Sequence, residues 1–161
     1  MSRKALLRDV IGAAGCPRIV HVDYVAGIGR ELLEAVRQIG AEGVVSKRRG
    51  SIYRGGESHD WRKAKVFDTG RFFITGFVEL GGGRLEAIYV AEVRDGELVP
   101  AGQIQFGFAG KGLWHRLDQL REGLPTRCGF VPVRPELQAL VKFFGRYQRG
   151  WIRDGVLLSV S

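Results

Sequence analysis

The spacing of apolar residues changes twice along this 161-residue chain. Over residues 3–14, Ala5, Leu6, Val10 and Ile11 can share one face of a short helix. RIVHVDYV, residues 18–25, alternates and predicts a strand. Ile28, Leu32, Leu33, Val36 and Ile39 return at helical spacing, and Gly40 is a natural stop for that helix. GVVSK reads as a short buried strand, SIYRGG as a turn, and HDWRKAKVF as extended chain again. This first stretch is mixed α and β and ends near Phe67.

Beyond Phe67 the period is mostly two. RFFITGFVEL and RLEAIYVAEV flank a turn at residues 81–83, which predicts a hairpin. RDGE makes a second turn and LVPAGQIQFGF a third strand. Leu113, Leu117 and Leu120 predict one helix over residues 112–124. CGFVPV, ELQALVKFFGRY and GWIRDGVLLSV follow as extended runs. Several strands with one helix between the third and fourth suggest a small closed barrel of the OB type, a five-stranded Greek key. The expected fold class is α+β.

Composition narrows the partners. Apolar residues make up 45% of the chain, enough for a packed core, and no window approaches a membrane span. The basic start, MSRKALLRDVIGAAG, lacks the continuous apolar stretch of a secretory signal. Cys16 and Cys128 are far apart and lie outside any CxxC context, which suits reduced thiols in a cytoplasmic protein. Lys and Arg outnumber Asp and Glu, 25 to 17, giving a net charge of +8 and favouring an anionic partner, nucleic acid first.

The chemistry concentrates in two short motifs. In a strand, Trp61, Lys63 and Lys65 of WRKAK point to one face, and two ammonium groups about 7 Å apart can clamp a phosphoryl group or adjacent phosphates. EGVVSK adds Glu42 and Lys47, with Val44 and Ser46 on one face and Val45 and Lys47 on the other. A carboxylate beside lysines can hold a divalent cation on a phosphate, or can form an ordinary salt bridge.

Taken together, EGVVSKRRGSIYRGGESHDWRKAK resembles the consecutive nucleotidyltransferase motifs IV and V of ATP-dependent DNA ligases, in particular the ligase modules of bacterial end-joining enzymes. The likeness extends through RKALLRDVI, PRIVHVDYV, FITGF, GFAGKGL and VRPELQALVKF, nearly the whole chain. It implies the C-terminal part of a ligase adenylation domain over residues 1–66 and an OB domain over residues 67–161. Position by position, it implies that Glu42 helps bind Mg2+, that Lys63 and Lys65 contact the α-phosphate of ATP or the AMP adduct, and that Lys47 lines the same pocket. Arg48, Arg49 and Arg54, with Lys111 and Arg116 in the barrel, are candidates for contacts to nicked or duplex DNA. The implied setting is DNA repair and recombination.

The same resemblance exposes a gap. The lysine that attacks ATP in this family lies in a Lys-x-Asp-Gly motif upstream of motif IV, and no such motif is present: Asp95-Gly96 and Asp154-Gly155 are preceded two residues earlier by Val93 and Ile152. The basic motif VI that orients pyrophosphate is also missing. No residue here is therefore expected to be the catalytic nucleophile. A separately encoded N-terminal half would have to supply it, or the chain is a DNA-binding module or an inactive remnant. Val44, Val45 and the apolar face of the helix over 28–39 are expected to lack their usual cover, which predicts repacking on the barrel, self-association or a partner polypeptide.

Other signals fail on detail. GIGREL has Leu32 where a dinucleotide loop needs glycine, and AGKGL has Gly112 where a P-loop needs Ser or Thr. His21, His59 and His115 share no metal-ligand spacing, and GxSxG is absent.

Overall fold

A computed structural model describes residues 3–108 and 112–161. Two helices, α1 (Arg3–Ala14) and α2 (Gly29–Gln38), precede a two-stranded antiparallel ribbon of β1 (Gly43–Lys47) and β2 (Trp61–Lys65). A six-stranded antiparallel sheet follows: β3 (Asp68–Gly81), β4 (Arg84–Arg94), β5 (Glu97–Ile104), β6 (Phe130–Pro132), β7 (Gln138–Phe143) and β8 (Val156–Val160), with helix α3 (Leu113–Asp118) between β5 and β6.

The sheet is built around its longest strand. The first half of β3 pairs with β7, from Asp68↔Phe143 to Phe73↔Gln138, and residues 76–78 pair with β6. From Phe73 onward β3 also pairs with β4. The path runs β5-β4-β3-β7-β8, and one parallel bridge, Phe106↔Val156, links the chain just after β5 to the start of β8. The turn after β4 places Asp95 at φ 52° and Gly96 at φ 84°, the left-handed pair that matches a two-residue hairpin to strand twist.

Alternation decides which residues are buried. Along β7, Ala139, Val141 and Phe143 point inward while Gln138, Leu140 and Lys142 are half-buried. Ile74, Phe77, Ile88 and Ile104 are fully enclosed, and α3 adds Leu113 and Leu117. Among the described residues, every buried apolar one lies between Phe72 and Leu157, so the interior belongs to the large sheet and α3.

Four sequence expectations need correction. Residues 18–25 form no strand: the alternation is present, but no strand among the described residues pairs with them to complete a ladder. GVVSK is a strand but not a buried one, because one face of the thin ribbon stays open and Val45 is 50% exposed. The helix predicted over 112–124 ends at Asp118. Beyond it, the backbone is taken by the chain around β6, with Glu122 N–H donating to Pro132 at 3.0 Å and Arg134 N–H to Leu120 at 2.9 Å. The large sheet also has six strands rather than five, since the CGFVPV run contributes β6 on the flank of β3. Among the described residues, no helix is long and apolar enough to cross a membrane.

Candidate active site

The ribbon gathers three of the four residues singled out for phosphate and metal on one face. Its register pairs Gly43 with Lys65, Val45 with Lys63 and Lys47 with Trp61, so the three lysines share a side. Glycine at 43 permits this: a Cβ there would strike the Ala64 carbonyl and the Lys65 backbone. The opposite face carries half-buried Val44 and Ala64, and α2, whose Leu32, Leu33 and Val36 are half-buried, lies against β1. The lysine side of the ribbon is thus the side left open.

The lysines have different surroundings. Lys47 Nζ lies 3.9 Å from the centre of the Trp61 ring, a cation–π contact that gives Trp61 a positioning role. The Lys63 side chain is exposed and makes no ion pair or hydrogen bond among the described residues. Lys65 is engaged: its Nζ is 3.8 Å from Glu42 Oε1, 4.0 Å from Asp154 Oδ2 and 5.0 Å from the centre of the Phe144 ring.

Glu42 stands just before β1, its carbonyl accepting the Val66 N–H at 2.9 Å. Its Oε1 also meets Arg153 Nη2 at 3.3 Å, so the carboxylate joins the ribbon to the β7–β8 connection. Arg153 is held in turn, donating to the Phe144 carbonyl at 3.0 Å. Sequence reading did not find Arg153, Asp154 or Phe144. No local motif marks them, because the β7–β8 connection brings them to Glu42 and Lys65 from 79 to 111 residues away along the chain. A cleft of about 420 Å³ opens here, lined by Arg37, Glu42, Asp68, Phe144, Arg146 and Arg153.

The arrangement fits an anion better than a bare cation. Among the described residues, no three of His, Cys, Asp or Glu cluster to hold a metal ion. Glu42 could serve a divalent ion only as one ligand among phosphate oxygens and water, the usual situation for Mg2+. The lysine face, by contrast, has an open phosphate-sized cation in Lys63.

The remaining candidates are scattered. Arg48 lies 3.6 Å from Asp60, while Arg49 and Arg54 are exposed on the β1–β2 loop without ion pairs among the described residues. Arg116, on α3, donates to the Val160 carbonyl at 3.4 Å, far from the ribbon in the fold's layout. Lys111 lies outside the described residues.

Arg146, beside the cleft, is locked to the sheet. It grips Glu92 through two bonds, 3.1 and 2.8 Å, and donates to the Gly150 carbonyl at 2.7 Å; Arg94 also bonds Glu92. Burial pushes the Glu92 carboxyl up, but hydrogen bonds from Arg146 and Arg94, and their charges, outweigh it and hold the carboxyl below its ordinary value. A lowered folded-state pKa means stabilisation above the ordinary carboxylate range, lost as pH falls through the folded-state value. Urea titrations should show the native protein losing this contribution as pH falls through the acid range. Glu92→Gln should lack that contribution at neutral pH and show a flatter acid limb.

A small basic ribbon set against a larger antiparallel sheet has counterparts among solved structures. The chain superposes on the ligase domain of M. tuberculosis LigD with a TM-score of 0.52 at 23% identity, over 98% of this chain and 56% of that one. It superposes on a Lig E DNA ligase with a TM-score of 0.68 at 21% identity, over 99% of this chain and 57% of that one. In sequence it is 36% identical over 138 residues to the multifunctional non-homologous end joining protein LigD of Pseudomonas aeruginosa, and 30% identical over 168 residues to that of Mycolicibacterium smegmatis. Those matches take in 82% and 94% of this chain but only 16% and 22% of the relatives. The chain is a homologue of the LigD ligase domains, within the ATP-dependent DNA ligase family. No protein-family model matches it.

Proposed function

We propose that this chain acts in ATP-dependent sealing of nicked DNA as the C-terminal part of a ligase, with the Lys-x-Asp-Gly nucleophile supplied by another polypeptide. Residues 1–66 complete an adenylation domain and residues 67–161 form an OB barrel; the Phe106↔Val156 bridge, joining the two ends of the sheet path, supports the barrel reading. The observation that carries the proposal is the shared open face of Lys47, Lys63 and Lys65 beside Glu42, in a homologue of LigD. In this reading Lys63 and Lys65 neutralise the α-phosphate of ATP or of the AMP adduct, Lys47 lines the pocket, and Glu42 shares Mg2+ with phosphate oxygens. Lys65 and Glu42 must exchange their ion pairs for the nucleotide. Arg48, Arg49 and Arg54 meet DNA phosphates from the loop, with Lys111 and Arg116 contacting the backbone from the barrel.

The test is a sealing assay on a 5′-phosphorylated nick with ATP and Mg2+. The partner is the portion of the Pseudomonas aeruginosa LigD ligase domain that precedes its region matched here. The mixture should seal; neither polypeptide alone should. The pairing of Lys65 and Glu42 with each other and with Asp154 and Arg153 favours a second reading, a DNA-binding module without catalysis. Under that reading the mixture stays inert, yet the chain alone binds duplex DNA with a steep salt dependence. Removing Arg49 would then reduce the slope of log K against log salt by about 0.9.

A further inference from the structure

Residues 18–25 alternate like a strand and are not in one. Apart from the Ile19 N–H, which donates to Cys16 at 3.1 Å, their backbone groups make no hydrogen bond among the described residues. Val20 and Val22, two residues apart, are 77% and 75% exposed. The segment is nonetheless held in place: Asp23 pairs with Arg8 of α1 at 2.9 Å, and Lys4 of α1 sits 5.0 Å from the centre of the Tyr24 ring. An anchored segment of alternating apolar residues with unpaired N–H and C=O groups is a template for strand addition. The exposed apolar surface continues onto α1 through Leu6, Leu7 and Val10.

We propose that residues 19–25 are an interaction edge on which the Lys-x-Asp-Gly-bearing part of a ligase domain docks by adding a strand, its apolar side chains covering Val20 and Val22. This rests on the reading given under the proposed function and specifies how the two polypeptides join. Two observations choose the occupant. The solved ligase chains are longer, this chain accounting for 56–57% of them, so the remainder of that fold has to lie against the part of this chain that lacks cover. That part is residues 3–66, which contain no buried residue. A second copy is disfavoured by charge, since two chains of net +8 repel.

Amide hydrogen exchange on this chain, alone and mixed with the Pseudomonas aeruginosa LigD fragment named above, tests the edge. In the mixture, amides within 20–25 should slow at least about tenfold relative to the chain alone, in keeping with entry into a ladder. Val22→Pro removes one N–H outside the buried core, so its melting temperature should match the native value while its affinity for the fragment falls at least about tenfold. Val22→Thr keeps the N–H and should bind like the native chain. A complex that seals nicks while residues 20–25 still exchange fast overturns the docking mode and leaves the ligase reading standing. Protection that appears in the chain alone and grows with its concentration assigns the edge to a second copy and also overturns it. Absence of any complex together with absence of sealing overturns both.

Discussion

Incubated with ATP labelled in its α-phosphate and with Mg2+, the 161-residue chain should carry no covalent label on a denaturing gel. Adenylylation needs an amine that is both nucleophilic and in line with the departing pyrophosphate. The chain has six lysines, at positions 4, 47, 63, 65, 111 and 142, none of them followed by x-Asp-Gly. Of the three that share the ribbon face, Lys47 rests on the Trp61 ring and Lys65 is held by Glu42 and Asp154. Lys63 is open, but it lies outside any Lys-x-Asp-Gly setting, and in the proposed reading it clamps phosphate rather than attacking it. Charge stabilisation lowers a barrier; it does not supply the bond-forming electron pair. Adding the Lys-x-Asp-Gly-bearing fragment should produce one labelled band, at the size of that fragment. A labelled band from this chain alone would sink the assignment of roles.

The second large effect should come from Lys63→Ala in that mixture. If Lys63 meets the α-phosphate as negative charge builds on it, its loss should slow label formation by about 10²–10³-fold, the scale seen when one preorganised charge-stabilising donor is removed. Lys63→Arg keeps the charge but not the point-like ammonium, and should recover only part of the rate. Lys65→Ala should also slow labelling, and it should loosen the ribbon from the β7–β8 connection, because the same amine meets Asp154 there. Lys142→Ala provides the control. Lys142 stands on β7 rather than on the ribbon, its Nζ 4.1 Å from the centre of the Phe67 ring and 5.5 Å from that of Phe144, and labelling should fall far less than with Lys63→Ala. Single-turnover labelling rates separate these cases; an unchanged Lys63→Ala rate would remove Lys63 from the phosphate site.

The sequence was most legible where a period meets a turn residue. The hairpins of β3, β4 and β5 follow from alternation interrupted by Gly81–Gly83 and Asp95-Gly96, whose positive φ values no bulky residue adopts cheaply. Facing in WRKAK was equally legible, since alternation alone puts Trp61, Lys63 and Lys65 on one side. Residues 18–25 were misread for a physical reason: alternation reports a side-chain pattern, whereas a strand is a property of two backbones, and no second one pairs with this segment among the described residues. The end of α3 was misread because its competitor for backbone hydrogen bonds, the chain around β6, lies several residues downstream and leaves no mark on the helix itself. Arg153 and Asp154 were invisible because an ion pair between distant segments has no signature in either.

The confinement of buried residues to the span from Phe72 to Leu157 has a calorimetric consequence. Heat taken up on melting scales with the residues that unfold together, about 0.7 kcal/mol for each near 60 °C. Residues 3–66, which bury nothing fully, contribute little of it. The chain by itself should therefore absorb the heat of a much shorter protein. Once another polypeptide lies across residues 3–66, the deficit should close, and the extra enthalpy would count how many residues the partner has recruited into a common core.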